Sequence, residues 1–205
     1  MMSIGPVTIE GFLKIYDPNN GETFVDKHNA IHYENMSIAL AQSLANKNLG
    51  YVYAMAFGNG GSSVDPTGVI TYLPPNITGQ NADLYNQTFI KVVDGNSPAN
   101  TDPTRNNLTV LHTSGQFYTD VLVTCLLDYG EPAGQNAFDN STQTDGEYVF
   151  DELGFFANYG TDNDGNVITR LLTHVIFHPV QKSLNRQIQI DYTVRIQALT
   201  NLVTI

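Results

Sequence analysis

The sequence predicts a mainly β protein: an antiparallel β-sandwich with one amphipathic α-helix near the N-terminus and long loops. Three observations predict it. Apolar residues recur at every second position along most of the chain, the mark of strands with one buried face. Some nine such runs are separated by stretches rich in Asn, Asp, Pro, Gly and Thr, as in a sandwich. One segment alone, Tyr33 to Leu44, carries apolar residues at helical spacing. With 205 residues and 41% hydrophobic content, the chain has enough material for one sizeable core and too little for two, so residues 1–205 are read as a single domain.

The elements follow in order. Val7, Ile9, Leu13 and Ile15 share a parity, and the turn-prone DPNNGE at 17–22 leads into Thr23, Phe24 and Val25, which together predict a hairpin. Tyr33, Met36, Ser37, Leu40, Ala41 and Leu44 form the helical stripe, so Leu40 and Leu44 are expected against the sheet. Asn29 is the expected N-cap, with His28 just outside and His32 in the first turn; Asn46 to Gly50 end the helix, with Gly50 as the stop. Further strands are predicted near 51–57, 69–73, 88–93, 108–113, 147–157 and 167–177. Val121, Val123, Cys125 and Leu127 alternate with Leu122, Thr124 and Leu126, so that strand is apolar on nearly both faces and is expected to be central.

The clearest strand is RQIQIDYTVRIQ at 186–197. Ile188, Ile190, Tyr192, Val194 and Ile196 face one way; Gln187, Gln189, Asp191, Thr193, Arg195 and Gln197 face the other. Beyond it, ALTNLVTI stays apolar for longer than a sandwich needs. Residues 199–205 are therefore read as a C-terminal arm, with Leu199, Leu202, Val203 and Ile205 as candidate assembly contacts. The polar stretches 74–87, 94–107 and 130–146 are read as long loops on a rigid β-core, where contacts to partners commonly sit.

Nine Lys plus Arg against twenty Asp plus Glu give a formal charge of -11, a field that repels phosphate backbones and argues against nucleic acid as a partner. No apolar run reaches the length of a membrane span. The single Cys125 has no internal disulfide partner, and Met1 to Val7 lack the basic and apolar regions of a signal peptide, so the chain is expected in a reducing cytoplasm.

Five patterns invite chemistry, and each has a plainer reading. His28 and His32 would lie about 6 Å apart on one helix face and share a zinc ion, but Asn29 stands where the H-E-x-x-H motif needs its glutamate, and a third ligand is not visible. GTDNDGNV at 160–167 fails as an EF-hand, with Gly160 and Leu171 at the first and last ligand positions, and reads instead as a hairpin turn around Asp164-Gly165. His174 and His178 are about 13 Å apart along a strand and are read as polar groups on a partly buried face. FGNGGSS at 57–63 lacks the phosphate-loop lysine and is read as a flexible turn. Asp151 and Glu152 suggest an acid/base pair, yet neighbours on a strand face opposite ways, so one of them is expected at the surface. No metal, cofactor or catalytic residue is assigned.

The segments FDELGFFA at 150–157, LLTHVIFHPVQKSLNR at 171–186 and IQIDYTVRIQ at 188–197 resemble the closing strands of virion proteins from tailed bacteriophages. DKHNAIHYENMSIALAQSLAN followed by MAFGNGG is similar to the helix and glycine-ended strand of the same group. The resemblance covers most of the chain and is close to structural proteins of T4-like phages of aquatic bacteria. It implies a non-catalytic virion component, present in multiple copies as a homo-oligomer, docking to other virion proteins through loops and sheet edges and assembled in the host cytoplasm. The motifs belong to the scaffold, so tail, neck, baseplate, fibre and capsid decoration remain open. The alternatives are a carbohydrate- or receptor-binding module, suggested by eleven Tyr but opposed by the absence of Trp, and a small metal-dependent enzyme.

Overall fold

The computed structural model describes residues 7–132 and 147–198. Its main element is an antiparallel sheet of nine strands in the order β6-β3-β9-β10-β2-β1-β11-β8-β7, curled over so that its two arms face each other. The strands are β1 (Val7–Tyr16), β2 (Thr23–Ile31), β3 (Val52–Gly58), β6 (Gln87–Val92), β7 (Asn107–Leu111), β8 (Tyr118–Leu127), β9 (Glu147–Thr161), β10 (Val167–Ser183) and β11 (Ile188–Ala198). A small hairpin, β4 (Ser62–Val64) with β5 (Ile70–Tyr72), lies apart, and α1 (Tyr33–Leu44) follows β2. The mainly β, sandwich-like architecture with one helix near the N-terminus is the one expected.

Strand β2 turns the corner. It pairs with β1 from Thr23 to Asn29 and then with β10 at Ala30 and Ile31, passing from one arm of the sheet to the other. Between the arms lies the core, with Leu13, Ile15, Val123, Cys125, Ile188, Ile190 and Tyr192 from one side and Met55, Phe57, Phe150, Leu153, Phe155 and Phe177 from the other. The Phe155 and Tyr192 rings meet across it at 3.9 Å. Each such side chain contributes about 1.5–3 kcal/mol by leaving water, which is why the period-two pattern predicts these strands well. Strand β11 places Ile188, Ile190, Tyr192 and Val194 inward, while on its outer face Arg195 forms a two-pronged pair with Asp120 at 2.8 Å.

Several expectations need correction. Strand β8 is second from the edge, not central. Just beyond the β7–β8 ladder, Asn106 Oδ1 accepts from Leu126 N–H at 2.8 Å. Asn29 is not an N-cap but a β2 residue opposite Gly11, and His28 pairs with Phe12, their rings 4.6 Å apart. The N-cap is His32, whose Nδ1 accepts from Asn35 N–H at 3.2 Å, a role usually taken by an oxygen-bearing side chain. The helix buries Asn35, Met36 and Ala39, with Leu40 only partly buried on the core, and leaves Leu44 88% exposed. The helix is rotated from the apolar stripe because buried Asn35 anchors it: its amide donates to Leu171 O at 2.9 Å, and its own carbonyl accepts from Tyr159 Oη at 2.7 Å. Nor is Gly50 the stop. Asn46, at φ 51°, takes the left-handed position after the helix, whereas Gly50 donates to Asn158 O at 2.7 Å where its Cα passes against the Ala39 backbone.

Candidate functional site

The outer face of β9 and β10 is covered by the segment from Gly58 to Gln87, which includes the β4–β5 hairpin, and the most concentrated buried polar chemistry of the described residues lies beneath it. Two features of the sequence put it there. Strand β9 reads FDELGFF, with two adjacent carboxylates in an apolar run, and strand β3 ends in a glycine-rich segment able to approach them closely.

Asp151 and Glu152 are both buried, which overturns the expectation that one is surface. Phe150 and Leu153, three apart, both enter the main core, and the β9–β10 register shifts between them, so the two acids in between both meet the chain that follows β3. Glu152 Oε1 accepts from Gly60 N–H at 3.0 Å and Asn86 N–H at 2.8 Å; Oε2 accepts from Tyr85 N–H at 2.9 Å and meets His174 Nε2 at 2.9 Å. Asp151 Oδ1 accepts from Gly61 N–H at 2.9 Å, and its Oδ2 accepts from Ser62 N–H at 2.7 Å and from the Ser62 hydroxyl. The FGNGGSS segment is thus a fixed clamp rather than a flexible turn. Burial pushes the Glu152 carboxyl up, but donation from His174 and from the Asn86, Tyr85 and Gly60 amides outweighs it and holds the group below its ordinary value. At Asp151 burial prevails over the Ser62 and Gly61 hydrogen bonds, and the carboxyl lies above its ordinary value.

His174 is fully buried, and its Nδ1 accepts from Asn76 N–H at 2.8 Å. An accepting Nδ1 assigns the ring proton to Nε2, which donates to Glu152. His178, four residues on, is exposed and meets Tyr72 Oη at 3.2 Å, so the two histidines serve separate contacts. The 74–87 stretch, read from the sequence as a long loop of the kind that carries partner contacts, is tied down at Gly79 and Gln80: Gly79 O to His32 Nε2 at 2.9 Å, Gln80 O to Asn35 Nδ2 at 3.3 Å, and Gln80 Oε1 to Arg170 at 2.9 Å. His32 therefore has both ring nitrogens engaged and lies on a different element from His28, so this pair does not converge.

Chemically, the arrangement is a lock. A carboxylate has about four acceptor positions, and Glu152 fills all four with donors from three separate chain segments. Neither nitrogen of His174 is left for a substrate. Asp162 likewise closes the β9–β10 hairpin, accepting from Asp164 and Asn166 N–H with Gly165 at φ 85°, as expected of the Asp-Gly turn. Cys125 is buried in the core, and burial pushes its thiol up to about 12, which removes it as a nucleophile near neutral pH. Sequence reasoning missed Asn76, Tyr85 and Asn86, which act through backbone N–H groups that carry no residue-type signal. The candidate assembly contacts Leu199, Leu202, Val203 and Ile205, with the 199–205 arm, lie outside the described residues.

No family model, curated protein or solved structure matches the chain.

Proposed function

We propose that this chain is a non-catalytic structural component of a tailed-phage virion, assembled in multiple copies with itself and with other virion proteins in the tail, neck, baseplate or capsid decoration. The observation that carries the assembly reading is the edge at β7. Among the described residues this strand pairs only with β8, and its sequence, NLTVL, has none of the charges or prolines that usually protect an edge. Val110, Leu111 and the neighbouring Phe117 are exposed there. Supporting the non-catalytic side, the buried acid and imidazole groups are committed to fixing chain segments. The resemblance of β9, β10 and β11 to virion-protein strands supplies the particle itself. The C-terminal arm 199–205, the continuation of the sequence after Ala198, is proposed as a second docking element.

The test is mass spectrometry of purified particles from infected cells, with complementation by Val110→Lys and by a chain lacking residues 199–205. Wild type is expected in particles at many copies, and both variants are expected soluble but depleted from them. A chain present in infected cells and absent from purified particles overturns the reading.

A further inference from the structure

Within the stretch Pro74 to Ile77, Pro75 roofs a cleft of about 100 Å³ between β2 and β10 whose lining also includes Lys27, His28, Tyr72 and His174. Asn76 N–H on His174 Nδ1 joins roof to floor, at 2.8 Å. That bond exists only while Nδ1 carries no proton. A second proton on the ring converts Nδ1 from acceptor to donor and sets two N–H groups head to head. The bond from Nε2 to Glu152 survives the change and strengthens as an ion pair. We propose that His174 is an acid-sensitive latch, releasing the Pro74–Ile77 roof and opening the cleft when its imidazole becomes charged.

Charged and titratable groups face the ring from several elements. Glu152 faces it from β9, and Asp83 adds a second carboxylate from the covering segment. Tyr85 lies with its ring centroid 5.6 Å from the imidazole. From β2, Lys27 and His28 line the same cleft, the Lys27 ammonium being held by Ile176 O at 2.7 Å. From β5, Tyr72 lines the cleft. Glu152 stays ionised while the imidazole charges, because its hydrogen bonds hold it below its ordinary value. Opening is local for a structural reason. The rest of the covering segment keeps its own tethers at His32, Asn35 and Arg170, and the main core between the arms is separate from the small apolar cluster of Ala56, Leu84, Phe156 and Leu171 outside it.

The experiment is NMR on the full chain, following the His174 ring nitrogens and the hydrogen-exchange protection of single amides as pH falls. The Asn76 amide is expected to lose protection by at least about tenfold as His174 takes its second proton, while the Phe155 amide, bonded to Thr173 Oγ1, keeps its own. His174→Gln offers one fixed donor and one fixed acceptor, so in it Asn76 protection is expected to ignore pH over the same interval. Three results overturn the proposal: His174 charging with Asn76 still protected, His174 remaining neutral until global unfolding, or the same pH response in the Gln variant. Should that variant fail to fold, the wild-type titration alone decides.

Discussion

Gly58 Cα lies so close to the Glu152 carboxylate that a methyl group at position 58 would collide with Oε1 and with the Asn86 carbonyl. The glycine and the acid are a matched pair: the first lets the chain pass, and the second fixes it. Replacing Gly58 by Ala is expected to cost about 1–3 kcal/mol through overpacking, read as a lower denaturant midpoint with unchanged slope. Gly95→Ala is the control, since the nearest atom to its Cβ would be Pro103 Cβ at 4.0 Å, and it should stay within about 0.5 kcal/mol of wild type. Equal effects at the two positions would remove the clamp from the account of this segment.

The helix offers a direct contrast between sequence pattern and burial. Met36→Ala empties a buried position and is expected to cost about 2–5 kcal/mol, whereas Leu44→Asp, at an 88% exposed site, should cost no more than about 0.5 kcal/mol. Urea unfolding of both variants checks the order. A severe loss at Leu44 would restore the face that the apolar spacing predicts.

This contrast also shows where the sequence was legible. The strands and their inward residues are legible because burial of alternate side chains leaves a period of two, and in β11 the inward residues Ile188, Ile190, Tyr192 and Val194 can be read one by one. The helix face was misread because Asn35, a polar residue, occupies the buried position and turns the stripe. The extension of β2 through His28 and Asn29 was missed because KHNA shows no apolar alternation where the strand changes partners. Of the lock, the acidic pair was visible but not its burial, since burial depends on backbone donors more than 60 residues away, at Tyr85 and Asn86.

His32 joins the helix start to the covering segment through both ring nitrogens, at Asn35 N–H and Gly79 O. His32→Ala removes a cap and leaves a buried donor unpaired, with an expected cost of about 1–3 kcal/mol. His28→Ala, on the exposed side of β2, should cost less than half as much. Because the two rings point to separate contacts, a chelator is expected to leave the melting temperature of the wild type unchanged. A fall of several degrees, with zinc or calcium found by elemental analysis, would contradict this.

Lys182 is a buried ammonium on β10 whose Nζ donates to Ser183 O at 2.8 Å. Burial lowers it from the ordinary 10.5 to about 8, against the opposing pull of Glu131 and Asp128. Below about pH 8 the group is protonated in both folded and unfolded chains, and the cost of burying the charge is fully present. Between about 8 and 10.5 the unfolded chain binds more protons than the folded one, so this residue's contribution to stability rises with pH across that interval. Lys182→Met removes the charge and keeps most of the volume, so it should raise the denaturation midpoint near neutral pH. Its advantage over wild type should then shrink steadily as the solution is taken from pH 8 toward 10.5. Guanidinium unfolding of both proteins across that series measures the difference directly, and an advantage that stayed constant with pH would mean the ammonium is already solvated in the folded chain.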